Sequence, residues 1–292
     1  MLYYSQPLFR PPSEANNIIL QITHGCSYNA CTFCSMYETK TYREKSLQEI
    51  FKDIDTLAQL YPHAHKIFLA DGDAMAVNIS TLLTVLEYLH RKFSSLRRIS
   101  SYASVINLEQ KNKEELAQLH SAGLKLIYFG IETGSNELLK RIQKGTTFEK
   151  MKEGLNKASR AGMKISATVI LGVGGKKYSR EHATQTAQLV NETTLNYLST
   201  LQLGVQQTKE EQFYKKFDNS FEWLNDQEML KEQLLFLESL NPTNAVIFRS
   251  NHASNSFALA GTLPKDKKRL IEELHLAINN TQLLTPTWLR GF

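Results

Sequence analysis

The sequence predicts an α/β protein in which six strands alternate with helices in a barrel-like or open parallel arrangement. Three observations predict it. Short apolar, β-rich runs recur along the chain, and each is followed by a stretch with apolar residues at helical spacing. Several of those stretches open on capping signals. No Gly-x-Gly-x-x-Gly follows the first strand, which argues against a dinucleotide-binding domain. Strand–helix alternation implies helical crossovers, and crossovers of that kind join parallel strands.

The elements follow in order. Ile18 to Ile22 is a strand ending at the cysteine segment, and Ser46-Leu47-Gln48-Glu49 is a capping box opening a helix with Ile50, Phe51, Ile54, Leu57 and Leu60 on one face. Lys66 to Ala70 is the second strand, closed by Asp71-Gly72-Asp73, and Ser80 is the expected cap of the next helix. Arg97 to Tyr102 is the third strand; Asn112 and Glu115 frame a helix that Gly123 ends. Leu124 to Ile131 is the fourth strand, and Thr146 with Glu149 forms the expected capping box of a helix ending near Gly162. Met163 to Leu171 and Tyr197 to Leu203 are the fifth and sixth strands, with a helix from Ser179 to about Asn191 between them. Residues 206–220 are polar without apolar periodicity and read as a loop or a join. Beyond them, Phe221 to Leu240 and Lys265 to Asn280 are helical in pattern, with a short strand at Ala245 to Phe248.

Composition sets broad limits. Hydrophobic residues make up 42% and charged residues 22%, ordinary for a globular protein. No apolar run reaches the length of a membrane span, and the first residues lack a signal-peptide layout, so the expected compartment is the cytoplasm. A net charge of +5 permits an anionic ligand or RNA without indicating either.

All three cysteines, Cys26, Cys31 and Cys34, lie in one C-x4-C-x2-C run. Core cysteines would be scattered and disulfides would need an even number. Three thiolates suggest one metal site, yet cubane clusters and structural zinc normally take four ligands. Such a site borrows a fourth ligand or keeps one coordination position open. The strand ends, where parallel α/β proteins bind ligands, carry a coherent set: the cysteines, Asp71-Gly72-Asp73, Tyr102-Ala103-Ser104, Gly130-Ile131-Glu132-Thr133-Gly134 and Gly172-Val173-Gly174-Gly175.

The cysteine run, with Phe33 before its last cysteine, resembles the cluster loop of the radical S-adenosylmethionine superfamily. The stretch from Gly130 to Leu139 resembles the fourth-strand motif of its methylthiotransferase and coproporphyrinogen-dehydrogenase-like branch. The resemblance covers roughly Ile18 to Leu203. Two features depart from the usual pattern: one extra residue stands between Cys26 and Cys31, and Asp71-Gly72-Asp73 replaces Gly-Gly-Glu.

The resemblance implies a partial (β/α)6 TIM-like barrel over residues 1–205. A small, mostly helical α/β extension over 206–292 would complete or cover it. It implies a [4Fe–4S] cluster on Cys26, Cys31 and Cys34, with S-adenosylmethionine chelating the fourth iron. Phe33 would pack beside the adenine, and Asp71, Gly72 and Asp73 would receive the methionyl ammonium. Glu132 would bond the ribose or the ammonium, Gly172 would let backbone approach the adenine, and Ser104 or Arg98 would meet the cofactor carboxylate. It also implies a reducing partner of flavodoxin or ferredoxin type.

A small or medium-sized substrate is favoured. Arg249, Asn251, His252 and Asn255, in a polar run after the short strand, are the expected substrate side. Three cysteines leave none for an auxiliary cluster, which disfavours methylthiotransferases. Two other readings stay open. One is a non-catalytic iron–sulfur or zinc protein with His24 as a fourth ligand; the other is a coproporphyrinogen-dehydrogenase-like enzyme of the haem pathway.

Overall fold

The computed structural model describes residues 2–291, which divide into two units. The first comprises residues 2–29, 34–129 and 157–165; the second comprises 30–33, 130–156 and 166–291.

In chain order the first unit holds β1 (Ile18–Gln21), β2 (Thr23–His24), β3 (Arg43–Glu44), α1 (Leu47–Leu60), β4 (Lys66–Ala70), α2 (Ile79–Lys92), β5 (Arg98–Ala103), α3 (Val105–Gln110), α4 (Lys113–Ser121) and most of β6 (Leu124–Glu132). Its strands run in the order β1, β4, β5, β6, each pair parallel. A separate antiparallel pair, β2 with β3, brackets the cysteine segment. In β4, Ile67, Phe68, Leu69 and Ala70 are all fully buried, as expected of a parallel strand covered on both faces. The apolar face of α1 supplies Ile50, Ile54 and Leu57, and that of α2 supplies Leu82, Val85, Leu86 and Leu89. Each such side chain contributes roughly 1.5–3 kcal/mol on burial.

The second unit takes the end of β6 and then α5 (Asn136–Arg141), the larger part of α6 (Phe148–Arg160), most of β7 (Lys164–Leu171), α7 (Gly175–Asn191), β8 (Tyr197–Gln202), α8 (Gln207–Lys216), α9 (Asp226–Ser239), β9 (Val246–Ser250), β10 (Leu259–Leu263) and α10 (Lys267–Asn279). Here β7, β8 and β9 are parallel in turn, and β10 returns antiparallel to β9.

All six expected strands form, and neighbours pair in parallel within each unit. Several local expectations change. The helix expected from Ser179 already begins at Gly175, and the one expected from Phe221 begins only at Asp226, where Asn225 and Glu228 form its capping box. Asn78, not Ser80, caps α2: its side chain accepts the Thr81 N–H at 2.9 Å, and Ser80 lies inside the first turn. The helix expected to open on Thr146 starts one residue later, with Lys150 N–H bonded to Thr147 Oγ1. Residues 207–216 are helical although the sequence shows no periodicity there, because Phe213 alone of α8 is buried and so anchors it. Strand β10 was not expected, since Leu259-Ala260-Gly261-Thr262-Leu263 is short and holds a glycine.

Candidate functional site

Within the first unit, β4 delivers Asp71, Gly72 and Asp73 to its carboxyl end. Asp71 is fully buried. Its Oδ2 accepts from Lys40 Nζ at 2.6 Å and from Gln21 Nε2 at 2.9 Å. Gly72 lies against the Tyr37 ring, where an added Cβ would stand 2.5 Å from a ring carbon, so no other residue fits. Tyr37 is itself buried, and desolvation, followed by the charge of Asp71, pushes its hydroxyl far above the ordinary value.

Asp73 is buried too, and burial raises its pKa above the ordinary carboxylate range; the hydrogen bond from Ser27, the nearby Asn107 amide and the charge of Lys111 oppose the rise. Ser27 follows Cys26 directly, so the acid is tied to the cysteine segment. Lys111 Nζ donates to the Met75 carbonyl at 2.7 Å, and its burial lowers the ammonium's pKa.

Cys26 Sγ accepts the Asn29 N–H at 3.4 Å, while Asn29 Nδ2 bonds the Tyr37 carbonyl at 3.1 Å. The loop is therefore closed on itself before it reaches Cys31. Ser104 follows β5 and forms a capping box with Asn107: Ser104 N–H donates to Asn107 Oδ1 at 2.7 Å, and Asn107 N–H to Ser104 Oγ at 3.3 Å. Arg98 opens the same strand and pairs with buried Glu14 at 2.8 Å. It stands at the amino end, five residues from Ala103 and roughly 17 Å away at strand rise, so it does not share a strand end with Ser104.

In the second unit, Thr32 N–H bonds the Ile142 carbonyl at 3.0 Å. Phe33 packs against an apolar cluster that includes Leu138, Ile142, Val173, Phe213 and Phe217. That cluster draws on α5, the turn after β7 and α8. Glu132 ends β6 with φ +60°, in the left-handed region that a residue with Cβ rarely adopts. The Thr133 N–H reaches across it to the Ile131 carbonyl at 2.7 Å, a tight three-residue turn. The Glu132 carboxylate is paired with Lys144 at 2.7 Å.

Gly172 has φ +80°, a backbone conformation that favours glycine, and a Cβ there would displace the Met229 Cε now 2.6 Å from that position. Its N–H donates to Glu232 Oε1 at 2.6 Å. Glu232 lies on α9, and burial pushes its carboxyl up to about 7. His182 Nε2 is 3.8 Å from the same carboxyl. Burial pushes the imidazole down to about 3, so it is neutral and the contact is not an ion pair.

Arg249, expected after the short strand, lies within β9 and pairs with Ala260 of β10; it is exposed, as are Asn251 and His252 in the run that follows, and Asn255 is buried. Asn255 Nδ2 donates to the Thr200 carbonyl and to Ser250 Oγ, both at 2.9 Å, and its Oδ1 accepts the Gln202 N–H at 2.9 Å. Its amide is spent tying this run to the end of β8. His252 Nδ1 meets Ser254 Oγ at 2.8 Å, and partial burial lowers its pKa.

Lys40, Lys144, His182 and Glu232 escaped the sequence reading. No motif marks them; each is found only through a partner between 12 and 60 residues away.

The donor set fits a cluster: three thiols within nine residues, none in a disulfide and each part-exposed, suit a [4Fe–4S] centre, in which each thiolate binds a different iron. His24, the candidate fourth zinc ligand, has its Nε2 3.2 Å from an Arg43 guanidinium nitrogen. Among the described residues no helix is long and apolar enough to cross a membrane.

Comparison with known proteins points the same way. The model of the Radical SAM superfamily matches residues 20–190. The chain is 27% identical over 171 residues to 4'-phospho-dehydrooxetanocin synthase of Priestia megaterium, covering 53% of this chain and 23% of that protein. It is 24% identical over 168 residues to the heme chaperone HemW of Bacillus subtilis, covering 57% and 44%. The chain thus spans less than half the length of these curated relatives. Among solved structures, the radical SAM enzyme coproporphyrinogen III oxidase from Escherichia coli aligns with a TM-score of 0.56 at 17% identity, over 76% of this chain and 52% of that one. At that identity the likeness establishes a shared fold, α/β with parallel strands.

Proposed function

The chain belongs to the radical SAM superfamily, whose model covers more than half of it, and from that premise we propose that it is a radical SAM enzyme acting on a small or medium-sized substrate. Members of the family use a [4Fe–4S] cluster and S-adenosylmethionine. When bound and reduced, this pair supplies a 5′-deoxyadenosyl radical that removes a hydrogen atom from substrate. The observation that carries the reading is the C-x4-C-x2-C segment lying inside the matched region.

In this reading Cys26, Cys31 and Cys34 hold the cluster. The chain's other residues bind and orient. The segment Asp71-Gly72-Asp73 receives the methionyl ammonium, with Tyr37 packed against Gly72 to hold it. Because Lys40 already neutralises Asp71, the carbonyls of the segment and the buried Asp73 carboxyl are the groups offered to a cation. Ser104 offers a hydroxyl to the cofactor carboxylate. Glu132, fixed by Lys144, meets the ribose hydroxyls or the ammonium, Phe33 packs beside the adenine, and Gly172 admits it close to backbone.

Residues 1–205 are assigned as the radical SAM core and 206–292 as an extension. Arg249, Asn251 and His252 of that extension are offered to the substrate, with Asn255 holding their run in place. A reducing partner of flavodoxin or ferredoxin type and a cytoplasmic location complete the reading, since a thiolate-held cluster suits a reducing compartment.

The deciding experiment is anaerobic: iron and sulfide are reconstituted, S-adenosylmethionine and dithionite added, and 5′-deoxyadenosine assayed. Its formation, lost with each cysteine substitution, supports the reading. A stoichiometric zinc and no cluster would overturn it.

A further inference from the structure

Two turns of the second unit carry residues that the reading above gives to S-adenosylmethionine: Glu132-Thr133-Gly134 after β6 and Gly172 after β7. Behind them lies a buried hydrogen-bonded set. His182 Nδ1 is 2.9 Å from Thr133 Oγ1, and the imidazole also bonds the backbone of Ile170 in β7. Thr186, one turn along α7, accepts the Gly134 N–H at 2.8 Å. Glu232 reaches in from α9 and accepts the Gly172 N–H at 2.6 Å. All three side chains are at most 2% exposed.

Glu232 is the unexpected member. It lies beyond residues 20–190, in the part of the chain that the family model does not match. Ser179 of α7 also hydrogen-bonds the carboxyl, while its second oxygen, Oε2, is buried without a well-formed hydrogen bond of its own among the described residues. A leucine there would avoid that desolvation penalty and pack as well, but it would leave the Gly172 N–H unpaired. The Gly175 N–H closes this turn on the Gly172 carbonyl at 3.0 Å, and Glu232 fixes the direction of the remaining Gly172 N–H.

We propose that Glu232 is a positioning residue for the adenosyl subsite: with His182 and Thr186 it fixes the turns after β6 and β7 in the form that binds S-adenosylmethionine. The role rests on the function proposed above. It makes the C-terminal extension part of cofactor binding, and any truncation before α9 removes a subsite determinant that the matched segment lacks.

The test is anaerobic equilibrium dialysis of S-adenosylmethionine against cluster-reconstituted protein, with iron content and thermal midpoint measured alongside. Glu232→Leu is expected to weaken binding about tenfold with iron content unchanged. Glu232→Gln retains an amide oxygen for the Gly172 N–H and is expected to bind within about twofold of the unaltered chain. Thr186→Val, which removes the acceptor for Gly134, is expected to weaken binding about fivefold. A purely structural acid would lower the thermal midpoint without this split between the leucine and glutamine variants.

Equal affinity of Glu232→Leu and the unaltered chain overturns the proposal, as does Glu232→Gln binding as weakly as Glu232→Leu. If Glu232→Leu does not fold, Thr186→Val decides, and unaltered affinity there overturns it. Failure of the unaltered, cluster-loaded chain to bind S-adenosylmethionine overturns the functional reading itself, and is seen before any variant is made.

Discussion

Lys40 Nζ sits 2.6 Å from Asp71 Oδ2, with the two side chains 5% and 0% exposed. The pair joins the segment just past Cys34 to the end of β4. Gln21 Nε2, on β1, donates to the same oxygen. A buried pair of this kind repays its desolvation only while both partners are present.

Removing one partner therefore strands the other. Lys40→Met is expected to destabilise the fold by about 3–5 kcal/mol. The double variant Lys40→Met with Asp71→Asn is expected to recover a large part of that loss, because no uncompensated charge remains. Urea unfolding of the four proteins checks it; strictly additive losses would show that the pair is not coupled.

The cysteine assignment gives a spectroscopic prediction. Cys31→Ala, reconstituted anaerobically, is expected to lose the visible thiolate–iron absorption and most of its iron. Full iron content in that variant would remove Cys31 from the ligand set.

Glu132 combines a left-handed backbone with a buried, Lys144-paired carboxylate. Glu132→Ala loses the carboxylate and keeps the backbone cost; Glu132→Gly loses both. The glycine variant is expected to be more stable than the alanine variant by about 1 kcal/mol, the usual penalty of a Cβ in this conformation. Both are expected to bind S-adenosylmethionine more weakly with their cluster intact. Unchanged affinity in both would retire the role given to Glu132.

The buried His182 and Glu232 predict a particular pH dependence of stability. Glu232 is raised from its ordinary 4.5 to about 7, so the folded state keeps a proton there that the unfolded chain has released. Its contribution is present below pH 4.5 and is lost as pH rises toward 7. His182 is lowered from 6.5 to about 3, so the unfolded chain takes up a proton that the folded state refuses. Its contribution is present above pH 6.5 and is lost as pH falls.

Between pH 4.5 and 6.5 each state thus holds one proton on this pair, and the two slopes cancel. His182→Gln unmasks the acid, and stability should fall with rising pH through that window by up to about 1.4 kcal/mol per unit. Glu232→Gln unmasks the histidine and should reverse the sign. Urea midpoints at several pH values measure it, and parallel profiles in the two variants would refute it.

The positions of the candidate site were readable in the sequence because its signals are local. Cys26, Cys31 and Cys34 fall within nine consecutive residues. Each glycine and carboxylate of the set stands where an apolar run stops, and hydrophobic periodicity finds those stops. What holds them was not readable. Asn107 answers Ser104 three residues away, but Glu232 answers Gly172 from 60 residues away, and no pattern in the chain ties the two together.

By itself the sequence determined the six-strand α/β alternation, the helix starts at Ser46 and Asn112 and the cysteine segment, because strand burial, capping boxes and thiolate clustering act between near neighbours. Tertiary structure alone decided which charges are neutralised, which turns are clamped, and that polar residues 207–216 coil into a helix around Phe213. The physical reason is burial. A charge or an N–H withdrawn from water must find a partner, and which partner reaches it depends on packing between distant segments, as with Lys40 and Asp71.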